Sequence, residues 1–186
     1  MIKNRHTIRL KGYDYSQPGY YFVTICTHER ECLFGEIANE RMELNSTGQI
    51  VNQIWQSLPN RFDIKLDQFQ MMPNHIHGVI QILDMGRGNR APTTNKRETL
   101  GQIVAYFKYV SSKQINSCRG GVSPPHNNLP SNNNLPSNND LPPQYYGHIW
   151  QRNYHEHIIR NERELWAIRQ YIKDNPKNWE DDGENL

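Results

Sequence analysis

Met71-Met72-Pro73-Asn74-His75-Ile76-His77-Gly78-Val79-Ile80-Gln81-Ile82 is the stretch on which the reading of this chain turns. Pro73-Asn74 makes a turn, and the apolar run after it has the composition of a strand. Side chains alternate between the two faces of a strand, so His75 and His77 share one face while Ile76 points the other way into a core. The preceding segment, Phe62 to Met71, alternates moderately and reads as the antiparallel partner. Two imidazoles on one face of a strand can form half of a metal site. A His-x-His pair without chemistry is the commoner case, so partners must be sought elsewhere in the chain.

Other elements follow outward from this hairpin. Tyr20 to Thr27 is dense in β-formers and reads as a central strand. Ser46 or Thr47 can cap a helix to about Leu58, with Ile50, Ile54 and Leu58 on one side. Phe34 to Ile37 is too short to assign. A second helix is expected from Glu98 or Thr99 to about Ile115, carrying Leu100, Ile103, Val104, Phe107 and Val110 at helical spacing. Gly147 to Arg160 reads as a fourth main strand, bent, and holds a second His-x-His, His155 and His157. Asn161 with Glu164 three residues on resembles a capping box for a last helix through Leu165, Ile168, Tyr171 and Ile172. Pro176 stops it. The acidic tail from Trp179 is expected to fray.

At 186 residues the chain suits one domain with one sizeable core. Hydrophobic residues make up only 35%, so part of the chain is expected to lie outside that core. Asn127-Asn128-Leu129-Pro130-Ser131-Asn132 recurs as Asn133-Asn134-Leu135-Pro136-Ser137-Asn138. Proline at this density builds neither ladder nor helix, so about 119–143 reads as a disordered, low-complexity insertion. A net charge of +2 is no strong polyanion signature, and nucleic-acid contact must come from local patches. The arm 1–18 is one, with Lys3, Arg5, His6, Arg9 and Lys11, although a solvated arm fits equally well. The loop with Arg87, Arg90 and Lys96 is another, with the same alternative. Cys26, Cys32 and Cys118 have no metal-type spacing, and an odd count suits a reducing cytoplasm. No apolar run suits a membrane span or a secretion signal.

Tyr171 and Asn175 stand four apart and share a helix face. A phenol, an amide oxygen and the imidazoles of His75 and His77 suggest a divalent cation, Mg²⁺ or Mn²⁺, acting as a Lewis acid on a phosphodiester. The Tyr171 oxygen would then attack phosphorus. On spacing alone the plainer account, Tyr171 at the core edge and Asn175 as a helix C-cap, stays ahead.

Several stretches resemble one family in its order. They are Ile8 to Tyr15, Gly19 to Cys26, Met72-Pro73-Asn74-His75-Ile76-His77, Trp150 to Arg160, and Tyr171-Ile172-Lys173-Asp174-Asn175-Pro176. Together they resemble the REP-associated tyrosine transposases, within the single-tyrosine HUH transposases of small insertion sequences. The resemblance implies an α+β, ferredoxin-like antiparallel sheet with helices packed on one face. It implies His75, His77 and Asn175 as metal ligands and Tyr171 as nucleophile. The implied substrate is single-stranded DNA beside a hairpin, cleaved through a 5′-phosphotyrosine without ATP. It favours His75 and His77 over His155 and His157 as ligands. The second pair, with Arg152 and Arg160, then belongs to a strand near the substrate, and Arg5, Arg9 and Lys11 are further candidate DNA contacts. A monomer is favoured over a homodimer. The competing reading is a domesticated hairpin-DNA-binding protein without catalysis.

Overall fold

The computed structural model describes residues 9–84, 98–119 and 149–185. Arg5, the basic loop with Arg87, Arg90 and Lys96, and the Pro/Asn repeat lie outside the described residues.

The β-rich segment after Gly19 forms β1 (Gly19–Cys26), and the hairpin about Pro73-Asn74 forms β4 (Ile64–Met71) and β5 (His75–Ile82). With β6 (His155–Ile159) they make one sheet in the order β4-β5-β1-β6. Every neighbouring pair is antiparallel. Helix α1 (Ser46–Ser57) carries the chain from β1 to β4, and β5 inserts between those two strands. This split βαβ arrangement, repeated through α2 (Leu100–Arg119) and β6, is ferredoxin-like. The unassigned segment at Phe34 becomes a small separate hairpin, β2 (Gly35–Ala38) with β3 (Arg41–Leu44).

The two faces of the sheet bury different things. Tyr21, Val23 and Ile25 of β1 and Ile76, Ile80 and Ile82 of β5 meet Trp55 of α1 and Ile103 and Phe107 of α2. Gly78 also faces this side, and a Cβ there would lie 2.4 Å from the Trp55 ring, so the indole seats directly on the β5 backbone. Phe22, Val79 and Ile159 point the opposite way, against Leu165 and Ile172 of α3 (Glu162–Asp174). The expectation of helices on one face therefore holds for α1 and α2 and fails for α3. The Leu165–Ile172 stripe needs apolar cover, and Phe22, Val79 and Ile159 supply it on the face that α1 and α2 leave open.

Four further differences have local causes. Between Leu66 and Phe69, β4 advances three residues while β5 advances two, from Ile80 to Gly78, which is a β-bulge. It resets the alternation so that Phe69 stacks on Trp55 while Asp67 takes Arg169 of α3 at 2.7 and 2.6 Å. The fourth strand is shorter than expected. Trp150 keeps one bridge to Thr27, but buried Lys108 of α2 gathers the carbonyls of Gln151, Arg152 and Asn153 at 2.8, 3.4 and 3.0 Å and draws them from the ladder. The acidic tail does not fray: Asn175–Asp181 is a 3-10 segment. Arg30 then pairs with Glu184 at 2.9 Å, and Asn74 donates to the Glu184 carbonyl at 2.7 Å. Asn45, one residue ahead of the expected Ser46, caps α1, and Asn161 caps α3 as expected.

Candidate active site

The face that carries α3 also carries both His-x-His pairs. Across the sheet, His77 lies opposite Thr24, and Thr24 lies opposite His155. Antiparallel pairing thus brings the two sequence-distant pairs into one row, with His77 and His155 two strand spacings apart, roughly 10 Å.

His75 and His77 are buried, and their Nε2 atoms face each other at 2.9 Å. Each Nδ1 is held from behind. Asn74 donates its amide nitrogen to Glu184, which turns its Oδ1 toward His75 Nδ1 at 2.7 Å. His75 Nδ1 therefore carries the proton, and its Nε2 offers a lone pair. His77 Nδ1 lies 2.9 Å from the Thr24 hydroxyl. That hydroxyl can accept, leaving a second lone pair at His77 Nε2, or donate, placing a proton between the two Nε2 atoms. Burial pushes both imidazoles down to about 3, helped at His75 by Arg30 and at His77 by His75, with Asp182 opposing. Both are neutral near pH 7, the state a metal ligand requires.

A carboxylate oxygen joins the two imidazoles. Asp182 Oδ2 lies 3.7 Å from His75 Nε2, and His75, His77 and Asp182 each offer a ligand atom within 4.8 Å of the others. Asp182 Oδ2 and Asn175 Oδ1 are both buried without a hydrogen-bond partner among the described residues. Buried oxygens left unpaired are costly unless a cation or water takes them. The His75–His77–Asp182 cluster fits a divalent ion. Asn175 follows Tyr171 by one turn, at the C-cap of α3. Asp182 is absent from the expected ligands. The signal was Trp179, an aromatic within an acidic tail; its ring packs 6.0 Å from that of His75 and fixes the tail against the site.

Tyr171 is half exposed, and its oxygen lies 3.4 Å from His77 Nε2. Burial raises its pKa, and the carboxylates of Asp182 and Glu184 raise it further, while the Asn175 amide pulls the other way. Near pH 7 the phenol is protonated. A cation among the carboxylates would offset the charge that opposes ionisation.

The remaining candidates divide. His155 is exposed at the rim, and Phe22 touches it, His77 and Tyr171. His157 Nε2 pairs with Glu164 in the first turn of α3, so this imidazole ties β6 to the helix. Arg152, three residues before β6, and Arg160, directly after it, are exposed. Lys11 is exposed on the turn before β1. Arg9 lies behind β6, since Glu156 alternates with His155 and His157. It donates to Tyr154 at 3.0 Å and lies 3.7 Å from the Glu156 carboxylate, which anchors the arm. Among the described residues no helix is long and apolar enough to cross a membrane.

No family model matches the chain. An uncharacterized protein of Haemophilus influenzae is 36% identical over 192 residues, spanning 97% of this chain and 93% of its own. Among solved structures, a REP-associated tyrosine transposase bound to a REP hairpin superposes with a TM-score of 0.55 at 16% identity. The match covers 93% of this chain and 74% of that one, a likeness of fold.

Proposed function

We propose that this chain, which belongs to one family with the Haemophilus influenzae protein and has a REP-associated tyrosine transposase-like fold, is a divalent-metal-dependent endonuclease and strand transferase. Its substrate is single-stranded DNA beside a palindromic hairpin, and its intermediate is a 5′-phosphotyrosine. The observation that carries this reading is the Tyr171 oxygen 3.4 Å from His77 Nε2, at the edge of the buried His75–His77–Asp182 cluster.

His75, His77 and Asn175 would hold the cation, Mg²⁺ or Mn²⁺, joined by Asp182. When bound, it supplies a Lewis acid for the phosphodiester and positive charge beside the phenol. Tyr171 Oη attacks phosphorus and loses its proton as the new O–P bond forms. The P–O3′ bond breaks, and the released 3′ oxygen gains a proton. Rejoining is the reverse, with bond energy kept in the phosphotyrosine, so no nucleotide cofactor is consumed. Tyr171 stays ordered before attack because Phe22 meets its ring edge-on at 6.1 Å and the Asp67–Arg169 pair ties its helix to the sheet.

Arg5, Lys11, Arg152, His155, His157 and Arg160 are the proposed DNA contacts, with Arg9 as anchor of the arm. Tyr171 reaches His77 of its own chain, and the proposed unit is a single domain over 1–186 acting as a monomer. Free Cys26, Cys32 and Cys118 suit the cytoplasm.

The test is incubation of labelled hairpin oligonucleotides bearing single-stranded flanks with protein and Mn²⁺ or Mg²⁺. A denaturation-resistant protein–DNA adduct is expected, lost in Tyr171→Phe and with chelator. Hairpin binding without an adduct in either metal would leave the non-catalytic alternative standing.

A further inference from the structure

The groove that holds Tyr171 and His77 continues past them. Phe22, His155 and Tyr171 line its metal end, and the same three residues line an open, mostly apolar cleft between β6 and α3. Ala167 and Ile168, one helical turn before Tyr171, form the other wall, and the His157–Glu164 pair closes the far end. Apart from Tyr171 itself, no residue lining this cleft takes part in the proposed attack.

Its chemistry selects one kind of occupant. The floor is the Phe22 ring, held flat because His77 stacks against it at 5.5 Å and 26°. His155 stands at the rim with its ring exposed and no hydrogen-bond partner among the described residues. A phosphate is disfavoured here. Lys and Arg are missing from the lining, and Glu164 sets a carboxylate beside the imidazole at the closed end. A flat, uncharged aromatic group suits ring floor and aliphatic wall, and a nucleobase offers π-faces and polar edges together. The cleft shares Tyr171 with the site of attack, so its occupant lies next to the reacting phosphorus.

We propose that this cleft is a nucleobase subsite. It takes, unstacked from its strand, the base of a nucleotide flanking the phosphodiester that Tyr171 attacks, between Phe22 with His155 on one side and Ile168 on the other. The proposal rests on the function proposed above. It adds that the register of cleavage is read by a pocket on α3 and β6 as well as by the hairpin.

The test uses the full chain carrying Tyr171→Phe, which holds DNA without reacting. Adduct formation by the unsubstituted protein first maps the cleaved phosphodiester. Abasic sites are then placed in turn in the nucleotides on its two sides, and affinity is measured by fluorescence anisotropy. One flanking abasic site is expected to weaken binding on the order of tenfold, the size of one lost base–aromatic stack. Adding His155→Ala, an exposed change, or Ile168→Trp, which fills the cleft, should weaken intact DNA and shrink the abasic penalty. A 2-aminopurine at the sensitive position should change emission on binding, and the change should be lost with His155→Ala. Should adducts form while abasic sites on both sides bind like intact DNA, the subsite is overturned and the function stands. An undiminished abasic penalty in both variants overturns it as well. Absence of any adduct overturns both.

Discussion

Thr24→Val is the sharpest probe of how the imidazole pair is poised. Thr24 is buried on β1 directly opposite His77, and its hydroxyl is the 2.9 Å partner of His77 Nδ1. Valine keeps the branched shape and removes the hydroxyl. His77 Nδ1 then has no partner, and the ligating tautomer, with its proton on Nδ1 and its lone pair at Nε2, loses the acceptor that supports it. Loss of an outer hydrogen bond to a ligating imidazole typically lowers metal affinity about 10–100-fold, or roughly 1.4–2.7 kcal/mol. A buried polar nitrogen left unpaired also costs about 1–3 kcal/mol of folding stability. In a chain of this size that lowers the melting temperature by roughly 2–4 °C per kcal/mol. The assay is calorimetric titration of DNA-free protein with Mn²⁺, beside thermal melts with and without the ion. Thr24→Ser keeps the hydroxyl and loses one methyl, so it should recover most of the affinity. If valine binds Mn²⁺ as tightly as threonine, or serine as poorly as valine, the reasoning about His77 is refuted.

Tyr171→Phe should melt within about 0.5 kcal/mol of the parent, because the ring is half exposed and its oxygen makes only a long 3.4 Å contact with His77, while the adduct vanishes. Gly78→Ala drives a methyl into the Trp55 ring and should cost about 1–3 kcal/mol in a urea titration, with a changed near-ultraviolet signal from Trp55; an unchanged midpoint would contradict the contact. A double-mutant cycle of Asp67→Asn with Arg169→Met should give a coupling of about 0.5–1 kcal/mol, kept small by the pair's partial exposure; additive losses would show that the pair does not hold α3. For pH, the metal-free fold holds His75 and His77 near 3 while the unfolded chain takes protons near 6.5. The unfolded state therefore binds more protons between those values, so stability is complete above about 6.5 and falls as the pH drops toward 3. His75→Gln/His77→Gln should flatten that fall in urea titrations between pH 7 and 4, and an unchanged slope would count against buried neutral imidazoles.

Much of the site was legible because it obeys short-range periodicities. Alternation put His75 and His77 on one face, and the four-residue spacing put Asn175 one turn beyond Tyr171. What escaped depends on long-range contacts. The apolar stripe of α3 announces that the helix packs, but only the occupation of the other face by α1 and α2 decides where. Moderate alternation in β4 was the mark of a bulge, visible once Leu66 and Phe69 are seen opposite Ile80 and Gly78. Asp182 is one acid among several in the tail, and it is singled out by long-range contacts of its neighbours, Trp179 on His75 and Glu184 on Arg30 and Asn74. Arg9 shows another such contact: its charge suggested DNA, and Tyr154 and Glu156, far along the chain, give it a structural task as well.

The bulge in β4 has a consequence for how copies of this protein meet. β4 and β6 are the two borders of the sheet, where unpaired backbone groups invite strand addition. One border is kinked at Asp67 and carries Lys65 beside it, and the other offers only five residues. Neither is a straight, apolar template, so the sheet resists continuation into a neighbouring molecule. Many copies crowded together would then stay separate particles, where a chain with a long flat border would risk fusing into fibrils.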